Sequence, residues 1–371
     1  MPKNLILLFL SLLTLAPILS ADPIQFFFGT NGGNAEGIYH ASFNTETGTF
    51  MQVKLAARIG SPGFLTKHTK RRIIYAVARW KGEAGVVAYR LGDRSELNEF
   101  SRMACPDGGA CHLSVHPSGK FLLTAQYGGG SIAVFPVKED GGLETPTIIE
   151  HKGGSKVIAK RQDAPHPHWV GFSPDGKYAL VPDLGLDQIV IYKVDLDKLR
   201  LLPHATADSI PGGGPRHMRF SSDGRFIYLL NELNLSVTTF AWDASKGKAL
   251  RLTTTPALSE KAKSMESFNS AAEILIHPQS PFVYSSNRGH DTVSVYQENS
   301  QGELQVIQVQ PIRGAFPRNI NLTPQADWLL AAGADSNTIS AHRVDPQSGK
   351  LTYQRGAVIN VPSPICILPI E

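Results

Sequence analysis

The sequence predicts an all-β protein, a seven-bladed β-propeller with four strands per blade. Charged residues make up only 18% of the 371 residues, and 34 Gly and 25 Pro supply many turns. This composition favours strands joined by tight turns over long helices. One sequence unit recurs seven times at a mean spacing of about 50 residues, and periods of roughly 40–50 residues are typical of propeller blades.

The recurring unit is a short apolar strand, a turn that contains Pro, Asp or Gly, and a second apolar strand. In the copy at 216–231, Asp223-Gly224 lies in the turn, and Asp-Gly between apolar runs is a strong hairpin signal. Two further strand-like runs follow in each unit, as at 292–296, and complete four strands. The copies begin at positions 62, 111, 168, 216, 272, 318 and 364.

The last copy, 364–371, has room for one strand only. Its predicted partners are the first strands of the mature chain, at 24–30 and 37–43, so that both chain ends build the terminal blade. This pairing closes the ring and removes its open edges. Residues 22–371 are therefore predicted to form a single domain.

Residues 1–21 have the pattern of a cleaved secretory signal peptide, with Lys3 near the start, an apolar run at 5–15 and small residues up to Ala21. The alternative, a membrane anchor, is disfavoured because spanning takes about 20 apolar residues. We expect an exported protein, periplasmic or secreted, with no membrane association after cleavage. The net charge of +4 is too small to indicate a nucleic-acid partner, and we expect a monomer or a weak dimer.

Three cysteines, Cys105, Cys111 and Cys366, are too few for a disulfide scaffold or a thiolate zinc site. Two possibilities stay open for them. Cys105 and Cys111 could form one disulfide after export, or all three could be free thiols.

Strand length places a set of polar residues at one mouth of the central channel. About six residues run out along the first strand and about six return along the second, so positions about 15–17 after a unit start lie beside that start. These residues could be charged strand ends that serve solubility alone. Because several arginines surround one opening, a site that binds anions or polyols is the favoured interpretation. The selected residues are Cys111, His168, Arg216, Ala272, Arg318, Arg79, Gln126, Tyr127, Asp183, Glu232, Asn287, Arg288 and Gly333.

Two insertions interrupt the regular spacing, at 153–165 and at 258–269. They are predicted to be loops on one rim of the propeller. Asp183 and Asp187 could bind a hard cation, but hydrogen bonding in a turn or at a blade edge is the favoured interpretation.

Five motifs carry a resemblance to a known family: Tyr-Gly-Gly-Gly-Ser (127–131), Asp-Leu-Gly-Leu-Asp (183–187), Gly-Gly-Gly-Pro-Arg-His (212–217), Asn-Glu-Leu (231–233) and Ser-Asn-Arg-Gly-His-Asp (286–291). Together they resemble the seven-bladed propeller lactonases. That family includes bacterial 6-phosphogluconolactonases and fungal 3-carboxy-cis,cis-muconate cyclases. The resemblance runs from about residue 24 to the end of the chain and is specific for the family rather than for one substrate.

The muconate cyclases use a His, two Arg and a Glu at the channel mouth. By resemblance of the motifs, these correspond to His168, Arg216, Glu232 and Arg288, and all four belong to the set that spacing selects. The sequence departs from the family at Arg79, where a Glu is common. This change makes the expected mouth more cationic.

The resemblance implies a lactonase that acts on a sugar-acid lactone, similar to the 6-phosphogluconolactonases. Hydrolysis needs an activated water and a stabilised oxyanion. His168 or Glu232 is the predicted base, and Arg216 and Arg288 are the predicted ligands of the oxyanion or of an anionic group. The residues predicted to bind the substrate are Arg318, Tyr127 and Arg79. The scheme needs no metal ion and no cofactor.

Two other functions stay open. A muconate-type cycloisomerase would use the same arginines to clamp carboxylates while the His or Glu transfers a proton. A non-catalytic propeller would bind a partner or a polysaccharide. A nucleophilic serine hydrolase, a zinc hydrolase and a P-loop enzyme are disfavoured because the sequence lacks their motifs.

Overall fold

The protein is a ring of seven antiparallel β-sheets, seen in a computed structural model that describes residues 23–107 and 109–370. The prediction of a seven-bladed all-β propeller is confirmed. The segment predicted to be a signal peptide, residues 1–21, lies outside the described residues.

The described residues contain 29 strands and one short helix. In chain order, the strands are β1 (Ile24–Thr30), β2 (Gly37–Asn44), β3 (Thr49–Phe50), β4 (Lys54–Arg58), β5 (Leu65–Lys67), β6 (Ile73–Trp80), β7 (Glu83–Leu91), β8 (Leu97–Ala104), β9 (His112–Val115), β10 (Phe121–Gln126), β11 (Ser131–Pro136), β12 (Thr147–Glu150), β13 (Gly171–Phe172), β14 (Tyr178–Asp183), β15 (Gln188–Asp195), β16 (Arg200–Asp208), β17 (Pro215–Phe220), β18 (Phe226–Asn231), β19 (Ser236–Asp243), β20 (Lys248–Pro256), β21 (Ser270–Ile276), β22 (Phe282–Arg288), β23 (Thr292–Glu298), β24 (Leu304–Pro311), β25 (Pro317–Leu322), β26 (Trp328–Gly333), β27 (Thr338–Val344), β28 (Leu351–Asn360) and β29 (Pro364–Ile370).

Six blades consist of four strands that are consecutive in the chain, from β5–β8 through β25–β28. The first strand of each blade faces the channel. Accordingly, β17 contacts β21, β21 contacts β25, β25 contacts β29, and β29 contacts β5. Each blade therefore delivers the start of its first strand and the end of its second strand to the same end of the channel.

The terminal blade is built from both ends of the chain. Strand β29 pairs antiparallel with β1, with Phe28 opposite Ile367, and β1 pairs with β2. The outer edge of this blade is split between β3 and β4. The predicted closure is confirmed, and it leaves the inner ring without a free edge.

The apolar core lies between neighbouring blades because the middle strands are buried on both faces. In one cluster, Phe28 and Phe43 of the terminal blade pack against Trp328 and Leu330 of the preceding blade. The Phe43 and Trp328 rings meet edge to face, 5.2 Å apart, and the Trp328 indole donates a hydrogen bond to the Thr45 carbonyl. Such contacts fix the angle between blades and hold the inner strands in place.

The two insertions lie on the rim that carries the channel mouth. The loop at 153–165 is irregular, and the loop at 258–269 contains the helix α1 (Glu260–Ser264), which Ser259 caps. The Lys263 ammonium donates to the Asn234 carbonyl and ties this loop to the neighbouring turn. Within the described residues, no helix is long and apolar enough to cross a membrane.

The closure by β29 predicts that Ile367→Ala destabilises the whole propeller. Ile367 is buried in the core between the terminal blade and its neighbour, and truncation of a buried Ile lowers the free energy of unfolding by about 2–5 kcal/mol. Urea unfolding measures the effect. Ile370→Ala, at the half-buried end of the same strand, is the control with a smaller loss. Equal losses in the two variants would contradict the inferred packing.

Candidate active site at the channel mouth

Four inner strands carry a β-bulge near the channel mouth. The pairing register with the second strand shifts at 215–217 in β17, at 271–274 in β21, at 317–319 in β25 and at 364–366 in β29. Successive side chains of a regular strand point to opposite faces, and a bulge breaks this alternation. Consecutive residues such as Arg216 and His217 therefore both line the channel cavity.

The carboxylate of Glu232 is the centre of a buried ion cluster. Its Oε1 accepts a hydrogen bond from Arg161 Nη2 at 2.6 Å, and its Oε2 accepts one from Arg216 Nε at 3.0 Å. Arg288 Nη2 lies 3.3 Å from the same Oε2. The Glu232 side chain is only 8% exposed. Three guanidinium groups thus share one carboxylate.

This cluster sets the protonation state of Glu232. Burial by itself raises the pKa of the carboxyl, but Arg288 and Arg216 outweigh burial and hold the pKa of Glu232 well below its usual range. The group is therefore ionised at neutral pH. Since both of its oxygens already accept hydrogen bonds, Glu232 is poorly suited to take a proton from water.

Two arginines retain donors for a ligand. Nε of Arg288 is buried without a hydrogen-bond partner. Arg318 lines the cavity and makes no hydrogen bond or ion pair within the described chain. Burial and the nearby Arg216 charge lower the pKa of Arg288 to about 9 and that of Arg318 to about 10, so both remain cationic at neutral pH.

The imidazole of His168 lies beside the cluster. Its Nε2 is 3.9 Å from Glu232 Oε2, and its Nδ1 is 3.7 Å from Cys111 Sγ. Burial, followed by the charge of Arg216, lowers the pKa of His168 well below its ordinary value. The ring is therefore neutral at neutral pH and can accept a proton.

A cavity of about 130 Å³ opens at this point, and His168, Arg216, His217 and Arg318 contribute to its lining. Phe64 also lines it and packs against the His112 ring at 4.2 Å. Phe64 borders a second channel cavity of about 310 Å³ as well. An aromatic layer thus separates the mouth from the deeper channel.

The residues predicted as the site lie at this mouth. His168, Arg216, Glu232 and Arg288 form the cluster described above, and Arg318 and Arg79 line the cavity. The Tyr127 ring packs edge-on against His168 at 5.2 Å, and its hydroxyl lies 3.5 Å from Arg161 Nη2. Their catalytic and binding roles remain predictions.

Three other residues of the set selected by spacing form hydrogen bonds within their own blades and do not point into the channel. Gln126 donates to Thr124, and Asn287 donates to Ser294. Asp183 accepts backbone hydrogen bonds in its own turn, as the turn interpretation predicts. These side chains point into the sheets because regular alternation holds at the end of the second strand.

Asp187 has a positioning function that the sequence only suggested. Its carboxylate accepts hydrogen bonds from the backbone N–H groups of Gly212 at 2.7 Å and Gly214 at 2.9 Å. Both glycines have positive φ values, 72° and 68°, a conformation that glycine adopts at little cost. The carboxylate thereby fixes the loop that leads directly into Arg216.

Sequence reasoning missed Arg161 because it comes from a rim loop and not from a strand end. The basic residues Lys156, Lys160 and Arg161 in that insertion were the available signal. It also missed the His217–Glu273 pair, in which Nδ1 lies 2.9 Å from Oε1. The two residues are distant in sequence and meet only where neighbouring inner strands lie side by side.

The cysteines are all free thiols, so the structure contains no Cys105–Cys111 disulfide. Burial raises the pKa of Cys111 to about 11 and that of Cys366 to about 12. Within residues 23–107 and 109–370, no group of three or more His, Cys, Asp or Glu side chains has the arrangement of a metal site.

Comparison with known proteins connects this geometry to one family. The family model described as "Lactonase, 7-bladed beta-propeller" matches residues 25–369. The chain belongs to the seven-bladed propeller lactonases. It is accordingly an enzyme of the carboxylic-ester hydrolase class.

Named relatives extend over most of this lactonase. A 6-phosphogluconolactonase of Bacillus subtilis is 31% identical over 338 residues, which cover 90% of this chain and 95% of that protein. A 6-phosphogluconolactonase of Formosa agariphila is 31% identical over 85% of this chain and 90% of its own. The structure of a periplasmic gluconolactonase of Pseudomonas aeruginosa superposes with a TM-score of 0.86 at 27% identity, covering 94% of this chain and 99% of that one.

The ion cluster predicts how Glu232→Gln changes stability with pH. Removal of the shared charge leaves buried guanidiniums uncompensated, which costs about 3–5 kcal/mol of unfolding free energy at pH 7. The folded-state pKa of Glu232 is depressed, so its stabilisation is complete above the usual pKa of 4.5 and is lost as pH falls toward the folded-state pKa.

Urea unfolding of both proteins at pH 7 and pH 3 measures this difference. The gap between wild type and Glu232→Gln is expected to be large at pH 7 and smaller at pH 3. A gap that widens on acidification would contradict the assignment of an ionised, charge-compensating Glu232.

Proposed function

We propose that this lactonase hydrolyses an anionic sugar-acid lactone of the 6-phosphogluconolactone class. The observation that carries the proposal is the charge at the mouth, where Arg161, Arg216 and Arg288 share the carboxylate of Glu232 and Arg318 adds a further positive charge on the cavity lining. The imidazoles beside them are neutral, so they neither add to nor reduce the excess of positive charge. The names of the Bacillus and Formosa relatives support the same substrate class.

In this scheme, some of the arginines stabilise the oxyanion and others bind the anionic group of the substrate. The ester carbonyl becomes an oxyanion when water adds to it, and buried, preorganised donors stabilise that charge strongly. Arg216 and Arg288 are fixed by Glu232 for this purpose, and the unpaired Nε of Arg288 is the available donor. Arg318 and Arg79, on the cavity lining, bind the phosphate or another anionic substituent.

The proton from the attacking water goes to an imidazole in this scheme. The sequence offers His168 and Glu232 as bases, and the geometry favours an imidazole because the Glu232 oxygens are already engaged. Glu232 instead orients Arg216 and Arg288 and balances part of their charge. His168, neutral and on the cavity lining, is the imidazole that the family resemblance supplies.

Turnover of 6-phosphogluconolactone and of unphosphorylated gluconolactone tests the proposal, after subtraction of spontaneous hydrolysis. We expect a higher kcat/KM for the phosphorylated lactone. Arg216→Ala is expected to lower kcat by about 10²–10³, the effect typical of an oxyanion donor. If the wild-type enzyme turns over neither lactone, the substrate class is wrong and the cycloisomerase becomes the function to test.

Arg318→Met separates recognition of the anion from catalysis. Loss of a hydrogen bond to a charged group costs roughly 1.5–3 kcal/mol, so KM for the phosphorylated lactone should rise about 10- to 100-fold. KM for the neutral lactone should change little. Arg225→Met, in an exposed turn of a different blade, is the matched control. An equal rise in KM for both lactones would contradict phosphate binding by Arg318.

We also infer export from the pattern of residues 1–21, with the Pseudomonas neighbour as a periplasmic precedent. The intact mass of the protein purified from its native envelope or culture fluid measures cleavage near Ser20 or Ala21. A cytoplasmic protein that retains residue 1 would contradict export.

A further inference from the structure

Beneath the ion cluster lies a second carboxylate that the proposed mechanism does not use. Glu273 in β21 is 1% exposed. Its Oε1 lies 2.9 Å from His217 Nδ1 and 3.0 Å from Arg219 Nη2, and its Oε2 accepts a hydrogen bond from the Asn319 amide at 2.7 Å. The carboxylate is therefore held rigidly on three sides, by side chains of the inner strands β17 and β25.

The imidazole of His217, which is hydrogen-bonded to Glu273, faces the cavity. It lines the same cavity as His168, Arg216 and Arg318. An ionised carboxylate accepts from Nδ1–H, which leaves the lone pair on Nε2. Nε2 of His217 has no hydrogen-bond partner among the described residues and is the ring nitrogen available to the cavity.

His168 lacks a comparable support. Its nearest carboxylate oxygen is 3.9 Å away, beyond hydrogen-bond distance, and belongs to Glu232, which is shared by three arginines. Its Nδ1 has only the weakly polar Cys111 thiol at 3.7 Å. Orientation by a hydrogen-bonded third group is what distinguishes an efficient histidine base. By this criterion His217 is the better-prepared base.

We propose that His217, oriented by Glu273, is the residue that accepts the proton from the attacking water. The inference rests on the lactone hydrolysis proposed above and names the base of that reaction. Water forms a bond to the ester carbonyl carbon while its proton passes to His217 Nε2. The ring C–O bond then breaks, its electron pair goes to the ring oxygen, and His217 returns the proton to that oxygen. The product is a hydroxy acid, whose carboxyl proton is lost to solvent.

The carboxylate of Glu273 stabilises the imidazolium that forms between these two proton transfers. It does not need to take up a proton itself. Burial, followed by the charges of Arg216 and Arg219, lowers the pKa of His217 well below its ordinary value, so His217 is neutral before the reaction. The pair is thus a base that is free to accept a proton and a partner that stabilises the charge.

Three histidine variants of the mature protein test the assignment, with 6-phosphogluconolactone and gluconolactone as substrates. His217→Asn should lower kcat by about 10²–10⁴, the usual contribution of a general base, while KM changes little. His168→Asn should lower kcat less. His112→Asn is the matched control. His112 is also a buried channel histidine, and its ring centroid lies 5.3 Å from that of His217, but it does not line the mouth cavity.

Glu273 is a positioning residue in this scheme, and its test separates positioning from general structure. Glu273→Gln should lower kcat, and the double variant with His217→Asn should lose no more activity than His217→Asn alone, since residues that act as a unit are not additive. Multiplicative losses would mean that Glu273 acts only through stability. Added imidazole should restore part of the activity of His217→Ala and none of the activity of His112→Ala.

The outcomes distinguish this inference from the proposed function. If wild-type enzyme hydrolyses neither lactone, the proposed function itself fails. If wild-type enzyme is active and His217→Asn retains activity within about threefold while His168→Asn is inactive, the assignment of His217 is overturned. Rescue of His168→Ala by imidazole, without rescue of His217→Ala, would overturn it as well. Thermal unfolding of each variant confirms that the comparison concerns folded protein.

Discussion

The mouth of this propeller depends on one buried carboxylate. Glu232 accepts hydrogen bonds from Arg161 and Arg216 and forms an ion pair with Arg288. Without it, three guanidiniums would repel one another in a poorly solvated space, and a buried uncompensated charge costs several kcal/mol. One negative charge is enough to hold the arginines but too little to neutralise them. The residual positive charge is the property that a site for an anionic lactone needs.

The propeller architecture makes this concentration of charge possible. Each blade delivers the ends of two strands to the same rim, and the apolar contacts between blades fix those ends against one another. The glycine-rich loop before Arg216 has few side chains that could fix its conformation. The Asp187 carboxylate fixes it by accepting hydrogen bonds from its backbone. The rigidity of the site thus comes from sheet packing and from carboxylates that bind backbone and side-chain donors.

The same electrostatic environment sets the state of the histidines. Burial and the nearby arginines lower the pKa of His168, His217 and His112 well below the ordinary value. The neutral imidazoles can therefore accept protons, and the arginines beside them keep their positive charge and can bind an anion. Glu273 then distinguishes His217 from its neighbours, because its carboxylate is hydrogen-bonded to the imidazole of His217.

The sequence by itself determined the number of blades, the closure of the ring and seven of the residues at the mouth. These follow from the repeat period and from the length of the strands, which are local properties of the chain. Only the tertiary structure decided which side chains meet. The bulges at the starts of β17, β21 and β25 turn a second residue into the channel. Arg161 reaches Glu232 from a rim loop, and His217 meets Glu273 from the next blade. Such contacts join residues far apart in the sequence, so they depend on how the blades pack and not on any pattern within one repeat.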